Sequence, residues 1–132
     1  MLPIGQPFTT IKLPSSKGGV VDLQEVFPLG TTVVGVIPRS GSEQWIEAAS
    51  RHIDHWLLQE YVNVYLITDA GREEAVHLCE RYGILAAFLL DEAGALYPQG
   101  EGFYRVDAAG VIEAAVGVDE GPHQLGRLFE EG

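Results

Sequence analysis

The sequence predicts a single α/β domain with a central mixed β-sheet flanked by helices and an N-terminal β-hairpin. Three observations lead there. The chain has 132 residues, the usual size of one domain and too short for two ordinary ones. Two continuous apolar runs alternate with two helix-period stretches, and a strand–helix–strand crossover demands a parallel pair, right-handed by default. Two further strand-like stretches then meet around Ala108-Ala109-Gly110 and add antiparallel strands before a closing helix. No internal repeat or linker is visible, so residues 1–132 are read as one domain with helices on both faces of its sheet.

Each element has a local cause. Pro7-Phe8-Thr9-Thr10-Ile11-Lys12-Leu13 alternates and is rich in β-branched residues, which predicts a strand. Ser15-Ser16-Lys17-Gly18-Gly19 is a turn, with Gly19-Val20-Val21 returning from it. Asp22 caps a brief helical turn through Val26, which Phe27-Pro28-Leu29-Gly30 breaks. Thr31 to Ile37 is apolar throughout, as in a strand buried on both faces, and Pro38 ends it. Ser40 with Glu43 has capping-box spacing, so a helix is expected from there to about Leu58. At ~100° per residue, Trp45, Ile46, Ala49, Ile53, Trp56 and Leu57 fall within one arc of about 120°. Val62 to Thr68 is the next buried strand, Asp69-Ala70-Gly71 a turn, and Arg72 to Tyr82 a helix closed by Gly83. Ala86 to Leu90 reads as a short strand, and Asp91 to Tyr97 as a helical turn before the loop Pro98-Gln99-Gly100. Phe103–Asp107 and Val111–Val116 form the late hairpin, and Pro122 opens a last helix to Glu130.

Composition excludes several classes. Lys plus Arg number 8 against 19 Asp plus Glu, a formal net charge of -11. Nucleic acid is excluded because neutralising phosphates takes a basic stripe, and anionic membrane surfaces are disfavoured for the same reason. Hydrophobic residues make up 46%, too many for a disordered tail. No apolar run approaches the ~18 residues of a membrane-spanning helix. Met1 to Gly5 lacks the basic start of a signal peptide, and the expected setting is the cytoplasm. The single cysteine forms no internal disulfide and no Cys-x-x-Cys motif.

The order of elements is that of the thioredoxin-like fold, and the residues resemble one branch of it more narrowly. Gly5-Gln6-Pro7-Phe8-Thr9, the Gly-rich turn and Val21-Asp22-Leu23 resemble the opening hairpin of peroxiredoxins, the alkyl hydroperoxide reductase and thiol-specific antioxidant family. Val64 to Asp69, the helix ending Glu80-Arg81-Tyr82-Gly83, Leu89 to Gly94 and Phe103 to Gly110 are similar to later parts of that family. Peroxiredoxins carry Pro-x-x-x-Thr/Ser-x-x-Cys where the central strand meets the first turn of the long helix. Here Pro38 and Ser42 match, and Trp45 stands where the peroxidatic cysteine belongs. The resemblance places Glu101 where the family has its activating arginine. Arg105 shares Glu101's strand parity but lies about 13 Å along at ~3.3 Å per residue. A cis-proline near this strand, usual in thioredoxin-like relatives, has no counterpart, since Pro98 comes too early.

These replacements are chemically severe. Peroxide reduction needs a thiolate that attacks O–O and becomes a sulfenic acid. Indole has no nucleophilic sulfur, and a carboxylate at Glu101 would raise a thiol's pKa. The resemblance therefore implies a redox-silent peroxiredoxin-like domain, an interaction or binding module for a protein or small molecule, without a cofactor. The competing expectation is a thiol-dependent oxidoreductase that uses Cys79 or a partner's thiol. Homodimers are implied only by family analogy.

Other candidates have plainer readings. Cys79 lies within the apolar arc of its helix, as an inert core thiol would. His52 and His55 have the i, i+3 spacing of part of a metal site, but no further ligand has a motif spacing, so no metal is expected. His77 and His123 read as surface residues. Trp45, His52 and Trp56 line one helix edge, most simply as core, with an exposed aromatic contact patch as the rival. Asp119-Glu120 and Glu130-Glu131 read as solvated helix ends.

Overall fold

The computed structural model describes residues 2–97 and 99–129, so Pro98 of the predicted loop, Glu130 of the predicted last helix, and Glu131 lie outside the described residues. β1 (Lys12–Pro14) and β2 (Val20–Asp22) pair antiparallel as a separate hairpin. Then follow α1 (Leu23–Val26), a 3₁₀ turn over Phe27–Leu29, β3 (Thr32–Val36), α2 (Ser42–Leu58), β4 (Asn63–Thr68), α3 (Arg72–Tyr82) and β5 (Ala87–Leu90). β6 (Gly102–Val106), β7 (Ile112–Gly117), a 3₁₀ turn over Val118–Glu120 and a 3₁₀ helix over Pro122–Phe129 complete the chain. The main sheet has the order β5-β4-β3-β6-β7, with β3, β4 and β5 parallel and β6 antiparallel to both its neighbours.

Strand alternation divides the core in two. Val33, Leu66, Phe88 and Phe103 face α2, α3 and the C-terminal 3₁₀ helix, whereas Val34, Val36, Ile67 and Tyr104 face Phe8, Leu13, Leu23 and Phe27. The long helices thus share one face rather than flanking both. β3–α2–β4 and β4–α3–β5 step across the sheet in the same direction, and two crossovers of one hand put both helices on one side. The other face is covered by the hairpin, α1 and the N-terminal segment.

That segment also departs from its sequence reading. Pro7 makes only an isolated bridge to Val111, and the ladder is confined to Lys12–Pro14. Phe8 instead turns inward, edge-on to Phe27 and Tyr104 at 6.1 and 5.3 Å. The segment's buried anchors are Phe8 and Leu13, and burial does not alternate between them.

The capping box is absent as well. Gly41, left-handed at φ 70, precedes α2 without a side-chain cap, and Glu43 reaches across to Arg81 of α3 at 2.6 Å. At the other end, Gln59 and Glu60 donate to the His55 carbonyl and Val62 to that of Trp56. This closure forces Tyr61 to φ 55 with its side chain almost wholly exposed. The left-handed region suits Gly or Asn. Tyr61→Asn is therefore expected to raise stability by roughly 0.5–1 kcal/mol. The check is an upward move of the urea midpoint at constant m-value. A lower midpoint would show that the exposed ring makes a contact outweighing the strain.

The last helix is 3₁₀ rather than α. Leu125 and Leu128, three apart, bury together, as a three-residue turn requires, and Gly126 between them favours no α-helix. Arg105, paired with Glu113 of β7 at 2.9 Å, holds this segment down through the Leu128 carbonyl and the face of Phe129. Arg127 donates to the Ala115 carbonyl at 3.0 Å and pairs with Glu120, whose carboxylate also accepts from the Gly117 amide. Glu120 is thus a partnered, half-buried cap, not a solvated end. No helix among the described residues is long and apolar enough to cross a membrane.

Candidate functional site

The carboxyl ends of β3 and β4 open into a cleft of about 410 Å³ against the first turns of α2 and α3. Ile37, Pro38, Arg39 and Ser42 form one wall, and Thr68, Asp69, Glu74 and Leu78 the other. Pro38 is buried where β3 stops, and Ser42 is the first residue of α2. Pro38 and Ser42 thus meet in one cleft.

Trp45 takes a different position. Its amide donates to Gly41 at 3.2 Å, placing it in the first turn of α2. Its indole is only 3% exposed and is not part of the cleft wall. It stacks on Phe103, with centroids 5.8 Å apart and planes 12° from parallel, and Trp56 meets the same ring at 6.3 Å. Phe103 in turn lies on Gly35 of β3, where a Cβ would stand 2.3 Å from the ring. Glycine is required there because the ring occupies the side-chain space. Trp45 therefore belongs to the core between α2 and β6 and does not line the cleft. Trp56, at 1% exposure, is equally core, and only His52 of the three is half-buried. They form no exposed aromatic patch, which corrects that expectation.

Glu101 ends the loop before β6, and its Oε1 accepts from the Arg39 amide at 3.3 Å. A carboxylate thus sits beside the Pro38 segment. The cation at the cleft comes from elsewhere. Arg39 pairs through Nε with Asp69 at 2.7 Å and lies 4.7 Å over the Tyr97 ring. A Cβ at Gly94 would stand 2.8 Å from Arg39 Nη2, so this glycine makes room for the guanidinium. The ion pair is about half exposed, where such pairs contribute little to stability. Tyr97 donates to the Ile37 and Ile67 carbonyls at 2.7 and 3.1 Å, tying the ends of β3 and β4 together. Burial first, then the charges of Asp69, Asp91 and Glu101, push its phenol well above the usual range, so it stays a neutral donor. Asp91, 2% exposed, accepts from the Ala95 and Leu96 amides and shapes the turn that carries Tyr97.

Arg39, Asp69 and Tyr97 escaped the sequence reading. Arg39 was visible inside the Pro38–Ser42 motif, but nothing in the spacing ties it to residues 30 and 58 positions away. Arg105, by contrast, is committed to the C-terminal 3₁₀ helix and does not reach the cleft.

Cys79 is half-buried on α3, not fully enclosed in the core. Burial pushes its thiol up, with Lys17 and a hydrogen bond from Ser16 acting against that rise. These neighbours belong to the turn of the N-terminal hairpin, away from Pro38 and Ser42. His55 is exposed and pairs with Glu60 at 3.3 Å, while His77 and His123 are exposed. Among the described residues no three His, Cys, Asp or Glu side chains converge as a metal site. The cleft itself presents the hydroxyls of Ser42 and Thr68, a paired cation and carboxylates, and its lining includes neither a thiol nor an imidazole.

Neither a protein-family model nor a curated protein sequence matches the chain. Solved structures do. Peroxidoxin BcpB from Mycobacterium tuberculosis superposes with a TM-score of 0.80 at 13% identity, over 94% of this chain and 91% of that one. Enterococcus faecalis AhpC gives 0.73 at 15% identity, over 96% and 90%. The thioredoxin domain of a thiol-disulfide oxidoreductase from Bacteroides vulgatus gives 0.72 at 17% identity, over 98% and 100%. The chain has the thioredoxin-like fold, in the form shared with solved peroxiredoxins.

Proposed function

We propose that the chain is a redox-silent member of the peroxiredoxin family that works as a binding or interaction module in the cytoplasm. The observation that carries this reading is Trp45. At the motif position of the nucleophile stands a buried indole stacked on Phe103, and no sulfur is available there to attack a peroxide. Glu101 beside the Arg39 amide adds negative charge where a thiolate needs positive. The cleft at the ends of β3 and β4, with Ser42 and the Arg39–Asp69 pair at its wall, is the surface on which a protein or small-molecule partner is recognised. The net charge of -11 makes nucleic acid an unsuitable partner.

A second reading, a thiol-dependent oxidoreductase using Cys79, draws on the fold's thiol-active neighbours and on Lys17 and Ser16 beside the sulfur. It is the weaker, because burial is the largest influence on that thiol and raises its pKa. One assay separates the two. Hydroperoxide loss with thioredoxin or dithiothreitol as reductant is expected to stay at the no-protein rate for the native chain and for Cys79→Ser. Turnover by the native chain that vanishes in the Ser variant would establish the enzyme instead.

A further inference from the structure

We infer that the packing of the C-terminal 3₁₀ helix, Pro122–Phe129, onto α2 is a pH-sensitive latch, closed around a neutral His52 and opened when that imidazole takes up a proton. The latch has a specific geometry. His52 stacks on Trp56, with ring centroids 5.5 Å apart and planes 18° from parallel. A Cβ at Gly126 would stand 3.6 Å from its Cε1, ordinary van der Waals contact, so the ring lies directly against the 3₁₀ helix. One turn further on, Trp56 meets Phe129 at 6.3 Å. Four residues of α-helix and three of 3₁₀ helix both advance about 6 Å. His52 and Trp56 therefore run in step with Gly126 and Phe129, and the imidazole is wedged between the two elements.

The charged groups around this wedge are mostly engaged with one another. On α2, Arg51 pairs with Glu47 at 2.6 Å and His55 with Glu60 at 3.3 Å, so both nearby carboxylates are engaged, and Asp54 is exposed. On the 3₁₀ helix, His123 continues the Gly126 stripe one turn earlier, and Arg127 is held by Glu120. From the sheet, Arg105 is held by Glu113 while it grips Leu128. Among the described residues His52 has no ion pair of its own. Burial first, then His55 and Arg51, lower its affinity for a proton. The sign follows. The released helix leaves His52 solvated with an ordinary value near ~6.5, so the closed form binds fewer protons than the open one. Latch stability is complete above that ordinary value and is lost as the pH falls through it and then through the lower value of the closed form.

Amide hydrogen exchange on the full chain from about pH 7.5 to about 5.5, each rate divided by its intrinsic rate at that pH, tests the latch. Protection at Leu125 and Leu128 is expected to fall on acidification, while Val34 and Leu66 in the sheet keep theirs. His52→Phe keeps an aromatic ring on Trp56 but cannot charge, and its Leu125 and Leu128 protection is expected to be flat with pH. His52→Gln removes the stack and is expected to lower protection by the same factor at every pH. His55→Gln and His123→Gln are expected to retain the acid-dependent loss. Flat protection in the native chain would overturn the inference. So would an acid-dependent loss that survives in His52→Phe, or loss at Val34 in parallel with Leu125, which is global unfolding.

Discussion

Trp45→Ala is expected to destabilise the fold by roughly 3–5 kcal/mol, the range for deleting a large buried aromatic. The indole is 3% exposed and packed flat on Phe103, so its removal leaves a void between α2 and β6 that Ile46 and Trp56, themselves buried, are not free to fill. For a domain with a typical total of ~5–15 kcal/mol this is a large share. Urea unfolding followed by far-ultraviolet circular dichroism measures it without relying on the lost fluorophore. Trp45→Phe, which keeps a ring on Phe103, is expected to lose less than half as much. A loss for the Ala variant within the few tenths typical of a surface site would show that Trp45 faces the cleft as a ligand contact, and the proposed function would need rebuilding around it.

Gly35→Ala is expected to cost about 1–3 kcal/mol, the range for overpacking a filled core, and Gly35→Val more. The direction is the informative part. Glycine inside a strand is normally a weakness, and replacing it with alanine normally helps. Here the new Cβ would stand 2.3 Å from the Phe103 ring, which Trp45 and Trp56 hold from the other side. Phe103→Leu in the same chain is expected to relieve part of the clash, so the double variant should be more stable than the two single losses added together. Simple additivity, or a stabilising Gly35→Ala, would show that Phe103 does not rest on β3. Gly35, Phe103 and Trp45 form one stack from the sheet to α2. Trp45, three residues after Ser42, is thus part of the hydrophobic core.

Much of this molecule was legible along the chain because its causes are local. The apolar run of β3 and β4, the helix from Arg72 to Tyr82 closed by left-handed Gly83, and the Pro38–Ser42 spacing all depend on neighbours within a few residues. Periodicity placed Trp45, Ala49, Ile53 and Trp56 on one buried arc, and all four are buried. The same periodicity left Cys79 too deep, since an arc shows which way a side chain points but not how far its neighbours extend over it. Capping spacing at Ser40 misled because Glu43 found a partner on another helix.

The features of the cleft and its surroundings arise across the sheet. Arg39, Asp69, Tyr97 and Glu101 come from four separate segments, and they meet only because β3, β4 and the loop before β6 end side by side. Whether Trp45 joins the core or lines the cleft depends on Phe103 lying over Gly35, a contact between residues 68 positions apart. The step between α2 and the 3₁₀ helix is likewise invisible in either segment alone, because it comes from the match of two helical rises. Local pattern sets which face of an element is apolar. The register between elements sets which side chains touch, and it is chosen by packing of the whole core, where each ring's place is defined by what the opposite strand leaves empty.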